Sequence, residues 1–551
     1  MRKRIIALCI STLLILTSQA QGVITITFNN QSATVDIPTT IKDVTYIVNG
    51  SNVTISSTTA TTEYTYRVTG TSSDGSLTIN GNYKLTLQLA GVALTNAHGG
   101  AAIDVECGKR IDVELLQGTV NTLCDSPLGA QKSALYFKGH AEFKSGGTLN
   151  VTGKLKHAIC AKEYIQLKNT TGFINILGAV SDGIHCGKGK VENEHNYFEM
   201  SGGTVNISNV GSDGIDADDF GVVRIKGGAL SVNVADGGSG IKADSTLTVS
   251  GGFINIAVTG NDADGLRSNY AVNITGGNTD IYVSGDGSKG IKSKNDTTTT
   301  ATVRDGGNVI VNGGICHIEH LGGTLSEATG DTSSCVGIAA DKDYTQSAGE
   351  MDILAMGLEG IAMRVSGVTH TDGGTLKVTT IPWTIKTRDY PYDMTLYAVA
   401  AYGGIRLTDY SGKAVGAFIG EECVGYGEFE SADYGILRMR SADTTSREVT
   451  FKLYDYGISK TLELQAEPKV VFTNAGYQGT PSQPVVLNYL NGRLGDVNLD
   501  GFITVTDAML IVSDILGDRP SNYHVELADL NGDGKITVTD VMLDVDIILN
   551  E

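Results

Sequence analysis

GGTVNISNVGSDGIDADDFGVVRIKGGALSVNV, running from Gly202 to Val234, contains just over one copy of the pattern that decides the fold. A double glycine opens an alternating strand, a second short segment of the form SDGIDA follows, and a third, VVRIK, leads into the next double glycine. The pairs at Gly202, Gly227, Gly251 and Gly276 are 25, 24 and 25 residues apart, and related pairs stand at Gly146 and Gly373. The second marker recurs as HAIC at His157, SDGIHC at Ser181, GSGIKA at Gly238, ADGLRS at Ala263 and SKGIKS at Ser288. A fixed period of this length marks stacked repeats, each too small to bury an apolar face alone. The expected fold over residues 21–382 is therefore all-β, a right-handed parallel β-helix.

Strand alternation names its core. One interior stack runs through Leu149, Ile174, Val205, Leu230 and Ile254, and a second through Ile159, Ile184, Ile215, Ile241, Leu266 and Ile291. Two residues further on, Ala161, Cys186, Ala217, Ala243 and Ser268 are all small, as a tight interior corner requires, so Cys186 reads as core filler, as does Cys316. The stretch NDTTTTATVRDGG from Asn295 breaks the period and reads as a loop insertion.

The chain opens with MRKR, an apolar run from Ile5 to Leu16 and the small-residue segment SQA, the order of a secretory signal cleaved after Ala20. Residues 1–20 are thus expected to be removed and the remainder secreted, with no later apolar run long enough to span a bilayer. A net charge of -20 argues against nucleic acid and anionic membranes and for cations as partners. Residues 495–551 hold 12 acidic and 2 basic side chains, about half of the whole excess. The cysteines are scattered and without a CxxC, which predicts mostly core residues and at most one disulfide.

Register gives the acids on the repeats their meaning, because equivalent positions on neighbouring repeats lie about 4.8 Å apart. Before the glycine of the second marker stand Asp182, Asp213, Ser239, Asp264 and Lys289; after its isoleucine stand His185, Asp216, Lys242, Arg267 and Lys292, with Asp218, Asp219 and Asp262 nearby. Such stacked carboxylates either raise their own pKa values, recruit a cation, or are neutralised by the adjoining bases. Asp182, Asp213, Asp216, Asp219 and Asp264 are the candidate ligands for Ca²⁺, an oxygen-seeking ion suited to an exported protein.

The GGTVNI and SDGI markers resemble those of a family of secreted bacterial carbohydrate-binding proteins whose fold is similar to that of calcium-dependent pectate lyases. The resemblance covers roughly residues 23–380 and implies binding of plant polysaccharide and calcium without catalysis. A lyase of this fold would need an unprotonated base, for which Lys242, Arg267 and Lys292 are the candidates.

Residues 383–491 lose the period and carry spaced alternating runs, among them TLYAVAAY, GILRMR and EVTFKLYD, which predict an antiparallel β-sandwich. Trp383, with Tyr390 and Tyr392 close behind, reads either as a sugar-stacking surface or as a plug where the repeats end.

Two loops close the chain. Asp496, Asn498, Asp500, Gly501 and Asp507 occupy positions 1, 3, 5, 6 and 12 of a calcium loop, with the Phe502 carbonyl at position 7; Asp529, Asn531, Asp533, Gly534, Lys535 and Asp540 repeat it. Each loop is followed by a single apolar stretch. Loop plus one helix, duplicated over residues 492–551, resembles a type I dockerin. That likeness implies a cohesin-domain partner on a scaffold or cell surface, with Val505, Thr506, Val538 and Thr539 as contact residues. The duplication implies docking in two orientations. Ser513 and Asp546 stand where the family carries a Lys or Arg.

The function expected from the sequence is a secreted, calcium-binding, polysaccharide-binding protein docked through its dockerin. The alternatives are a calcium-dependent polysaccharide lyase on the same wall and an adhesin or surface-assembly protein.

Overall fold

The computed structural model describes residues 22–550 apart from 188–195, 296–305, 327–331, 356, 358–359, 381–382, 384–389, 411–412, 428, 430–432, 456–457 and 459. The expected signal and most of the expected insertion after Asn295 lie outside these. Two compact units result. The first comprises Met1–Ile318, Ile338–Met351 and Arg364–Leu376; the second comprises Glu319–Gly337, Asp352–Met363 and Lys377–Glu551.

In the first unit successive repeats pair in parallel and in register. Leu149 faces Ile174, then Val205, Leu230, Ile254 and Thr279, while Ile159 faces Ile184, Ile215, Ile241, Leu266 and Ile291. All of these are buried. Stacking like on like removes these interior side chains from water, which no repeat can do alone.

The right-handed parallel β-helix expected from the period is corrected, because the strands do not keep to three separate columns. They form a barrel-like enclosure of two mostly parallel sheets, one of 20 strands and one of 13, each with one antiparallel hairpin near its start. The cause is local. At the double glycines 251–252, 276–277 and 313–314 the chain continues through the expected corner as the 13-residue strands Thr246–Val258, Ala271–Val283 and Asn308–His320. The second glycine of each pair has φ of 91°, 82° and 77°, so the strand bends there without ending. Two of the expected columns thereby fuse into the larger sheet.

The β-sandwich expected for residues 383–491 is corrected as well. These residues form a single ten-stranded sheet of mixed direction. Its strand Tyr392–Tyr402 pairs antiparallel with Gly435–Ser441 and parallel with Val485–Tyr489. The sheet curls until Glu422–Gly427, at the other end of the order, lies beside Gly435–Ser441; a Cβ on Gly425 would come within 2.4 Å of the Arg438 carbonyl oxygen. Leu396, Ala398, Leu437, Phe451, Leu453 and Leu487 fill the interior as one apolar cluster.

Helices α1 (Val505–Ile515) and α2 (Val538–Asn550) follow the two closing loops and pack on each other. Val497, Leu499, Ile511, Tyr523 and Leu527 join the apolar cluster of the curled sheet. Lys460 Nζ donates to the Leu499 carbonyl at 2.9 Å, and Glu526 accepts from the Thr408 amide at 3.1 Å. The closing module is therefore seated on the sheet within the second unit.

Candidate functional site

The register of the 13-stranded sheet aligns His185, Asp216, Lys242, Arg267 and Lys292 as one outward column. Asp182, Asp213 and Asp216 converge and are buried. Asp219 and Asp264 stand apart from them: Asp219 is exposed, and Asp264 lies 3.2 Å from Lys292 and 3.6 Å from Arg267.

The converging acids have partners within the wall. Lys242 Nζ is 3.0 Å from Asp216, 3.4 Å from Asp218 and 3.7 Å from Asp213. Burial works to lower the Lys242 pKa, but these three carboxylates raise it well above the lysine range. Asp213 is pushed up to about 7, first by burial and then by the like charge of Asp216. Two histidines complete the group. His185 Nδ1 lies 3.0 Å from Asp182 and 3.1 Å from Asp216, and His157 Nδ1 lies 2.9 Å from the same Asp182 oxygen. Burial would lower the His185 pKa, yet Asp182 and Asp216 outweigh it and hold it at about 9. His157 escaped the sequence reading as a site residue. The available signal was its place in the HAIC marker, one repeat before Asp182 and His185.

A different face of the repeats is open, and it is uncharged along the column from Asn150 to Asn255, after which the exposed Asp280 follows in register. Asn175 donates to Asn150 and Asn206 donates to Asn175, each at 2.9 Å, and the same column continues as Ser231 and Asn255. In the column beside it Thr148, Phe173, Thr204, Ala229 and Phe253 are in register. Phe173 and Phe253 are 50% and 70% exposed, unusual for rings that a core could have taken. Trp383, by contrast, packs edge-on against Phe418 at 5.4 Å and Tyr454 at 6.3 Å on the curled sheet. Tyr390 donates to Glu422.

In the first closing loop the side-chain oxygens are held from outside by main-chain amides. Asp496 accepts from the Asp500 and Gly501 amides at 3.1 Å, Asn498 from Asp500 at 2.8 Å, and Asp500 from Phe502 at 2.9 Å. Asp507 caps α1 by accepting from the Thr504 amide at 2.9 Å. The second loop repeats this: Asp529 accepts from Gly534 at 2.8 Å, Asn531 from Asp533 at 2.8 Å, Asp533 from Lys535 at 2.9 Å, and Asp540 from Thr537 at 2.9 Å. Gly501 and Gly534 make the sharp turn with φ of 96° and 79°. Asp496 is buried, and its pKa is raised by that burial and by Asp507 and Asp500. Acidic oxygens crowded at this depth fit a divalent cation.

The flanking helices show two matching apolar faces. Val505, Met509 and Leu516 are 64%, 66% and 79% exposed; Val538, Met542 and Leu549 are 63%, 68% and 78% exposed. Thr506 and Thr539 are exposed beside them.

Residues 494–543 match the model of the type I dockerin domain, a class whose members generally bind calcium and dock on cohesins. Residues 49–301 match the model of a family described as "Carbohydrate-binding domain-containing protein". Both resemblances read from the sequence are thereby met. One solved structure, described as the polysaccharide lyase-like protein from C. thermocellum in a gadolinium derivative, is similar at 17% identity, covering 64% of this chain and 99% of that one, with a TM-score of 0.28. A superposition that loose bears on neither fold nor activity. No curated protein matches the chain. Among the described residues no helix is long and apolar enough to cross a membrane.

Proposed function

We propose that this protein is exported, holds a plant cell-wall polysaccharide on its repeats, and is fixed to a cohesin-bearing scaffold or surface by a calcium-loaded dockerin. The observation that carries the reading is the union in one chain of a carbohydrate-binding family match with two loops built alike at every ligand position. In the first loop Asp496, Asn498, Asp500, Asp507 and the Phe502 carbonyl hold the ion; in the second Asp529, Asn531, Asp533, Asp540 and the Lys535 carbonyl do so. Calcium draws each loop onto its helix. Val505, Thr506, Val538 and Thr539 then meet the cohesin.

The sugar lies along the open column of amides and hydroxyls. Strand spacing of about 4.8 Å is close to the rise of one pyranose unit along an extended chain, so successive rings meet successive repeats. Phe173 and Phe253 offer faces for ring stacking, and the neutral stretch of the column from Asn150 to Asn255 suits a neutral glycan. The acidic wall serves this reading less well, since Lys242 and His185 already partner its carboxylates. Lyase chemistry is disfavoured on the same ground: Lys242 is held protonated, the opposite of what a proton-abstracting base requires.

Retention of the full chain on insoluble plant polysaccharides, with calcium and with chelator, tests the binding. No retention on any glycan would turn the reading toward an adhesin. Growing absorbance near the ultraviolet band of unsaturated uronates, with polygalacturonate as substrate, would turn it toward a lyase.

A further inference from the structure

His157, Asp182, His185 and Asp216 form a buried group that neither the sugar face nor the dockerin uses. Their exposures are 2%, 4%, 8% and 4%. Three features separate them from an ordinary ion-pair network.

The first is donor spacing. The Asp182 Oδ2 atom lies 2.9 Å from His157 Nδ1 and 3.0 Å from His185 Nδ1, and ligand atoms of these three residues all lie within 4.8 Å of one another. Two ligands of one ion, each about 2.0 to 2.1 Å from it at a tetrahedral angle, are about 3.3 Å apart. The second is direction. His157 Nδ1, though 2.9 Å from that oxygen, is out of line for a hydrogen bond and has no other partner, so a nitrogen that is almost wholly buried is aimed into the group unsatisfied.

The third is the outer support. Asp182 Oδ1 accepts from Ser181 Oγ at 3.1 Å and from the Asp213 amide at 3.3 Å. Asp216 Oδ1 accepts from Lys242 Nζ at 3.0 Å. Each carboxylate is thus anchored through one oxygen and presents the other to the imidazoles, the arrangement by which outer partners orient metal ligands. The two rings stack with centroids 4.3 Å apart, which brings both Nδ1 atoms to one side.

We propose that His157, Asp182 and His185 bind one divalent transition-metal ion of the zinc type, through the two Nδ1 atoms and Asp182 Oδ2, with Asp216 beside His185 as an outer partner. Two imidazole nitrogens select such an ion over calcium, which takes oxygen ligands. The rival occupant is a proton, with imidazolium at His185 bridging the two carboxylates and no metal at all.

The experiment uses the untagged full chain, stripped with chelator and restored with excess Ca²⁺ so that the dockerin loops are filled. Titration with Co²⁺ should give one equivalent with the visible ligand-field absorption of a site containing nitrogen ligands, displaced by Zn²⁺ and untouched by further Ca²⁺. Asp496→Ala with Asp529→Ala should leave that signal in place. His157→Asn and His185→Asn should each weaken Co²⁺ binding at least tenfold. Absence of the band in the folded wild-type chain, displacement by Ca²⁺, or unchanged binding in both histidine variants would overturn the proposal. Should a histidine variant fail to fold, the wild-type spectrum and its competition with Ca²⁺ still decide.

Discussion

Asp544 occupies in α2 the position that Ile511 fills in α1, thirty-three residues earlier, and both are fully buried. Neither Asp544 oxygen has a hydrogen-bond partner, and room for the carboxylate exists only because residue 495 is glycine, whose Cβ would come within 2.7 Å of Oδ1. Burial, and then Asp507, push its pKa up to about 7. An apolar side chain of similar size removes this unsatisfied group, so Asp544→Val should raise stability by about 1 to 3 kcal/mol, read as a higher urea midpoint with calcium present. A lower midpoint would show that the carboxylate has a partner after all. Asp104 makes the corresponding case in the repeats. One oxygen accepts from Gln131 at 3.1 Å, the other has no partner, and burial pushes the pKa up to about 6 from an ordinary 3.8. A carboxyl raised in the folded state contributes stability that is fully present below about pH 4 and is lost as pH climbs through 6. Asp104→Asn should therefore flatten the decline of stability between pH 4 and 7, by up to about 3 kcal/mol, in thermal melts across that range. A decline of unchanged slope would place its cause elsewhere.

At the level of elements, the glycines of the SDGI marker set how closely repeats stack. A Cβ on Gly240 would lie 2.7 Å from both the Gly265 carbonyl oxygen and Ile256 Cγ2, and Gly214 and Gly265 are as crowded. Gly240→Ala must push main chain or core apart, a cost of about 1 to 3 kcal/mol, measurable as a lower denaturation midpoint with secondary structure retained. A midpoint equal to wild type would mean that the stack has slack. These glycines, the apolar stacks and the parallel register were all legible in the sequence, because a fixed period dictates which residues become vertical neighbours. What happens at a double glycine was not. Positive φ at Gly252 or Gly277 serves equally to end a strand or to bend one, and only the path of the neighbouring strands selects the bend. The curled sheet escaped for a related reason: alternation in TLYAVAAY announces a strand, whereas its parallel partner Val485–Tyr489 lies far along the chain. In the candidate site, equal offsets within repeats put Asp213 one repeat after Asp182, and Asp216 one repeat after His185. The orientation of Lys242 toward them, and the entry of His157, depend on side-chain directions that spacing does not encode.

For the whole molecule, sugar binding and scaffold docking draw on separate chemistry and should come apart cleanly. Calcium removal leaves the buried carboxylates of Asp496 and Asp507 in the first loop, and of Asp540 in the second, without a counter-charge, so chelator should abolish capture by a type I cohesin. The amide column and the rings of Phe173 and Phe253 hold no such dependence, and retention on polysaccharide should persist. Phe173→Ala with Phe253→Ala should do the reverse, weakening retention roughly tenfold or more, since a stacked ring contributes about 0.5 to 1.5 kcal/mol beyond its buried area. Docking itself has a further signature. The faces headed by Met509 and Met542 are equally exposed and carry the same Val-Thr pair, so either can receive the partner. If both modes are equivalent, closing one removes only half of the ways to bind. Met509→Asp alone, or Met542→Asp alone, should then reduce cohesin affinity about twofold, and the two together should lose about a hundredfold, near 3 kcal/mol. Calorimetric titration of the four chains against a panel of type I cohesins measures this directly. A single substitution that alone removes binding would assign docking to one face and make the duplication a matter of folding, with the second loop and helix serving to complete the core that Ile511 and Leu527 share with the curled sheet.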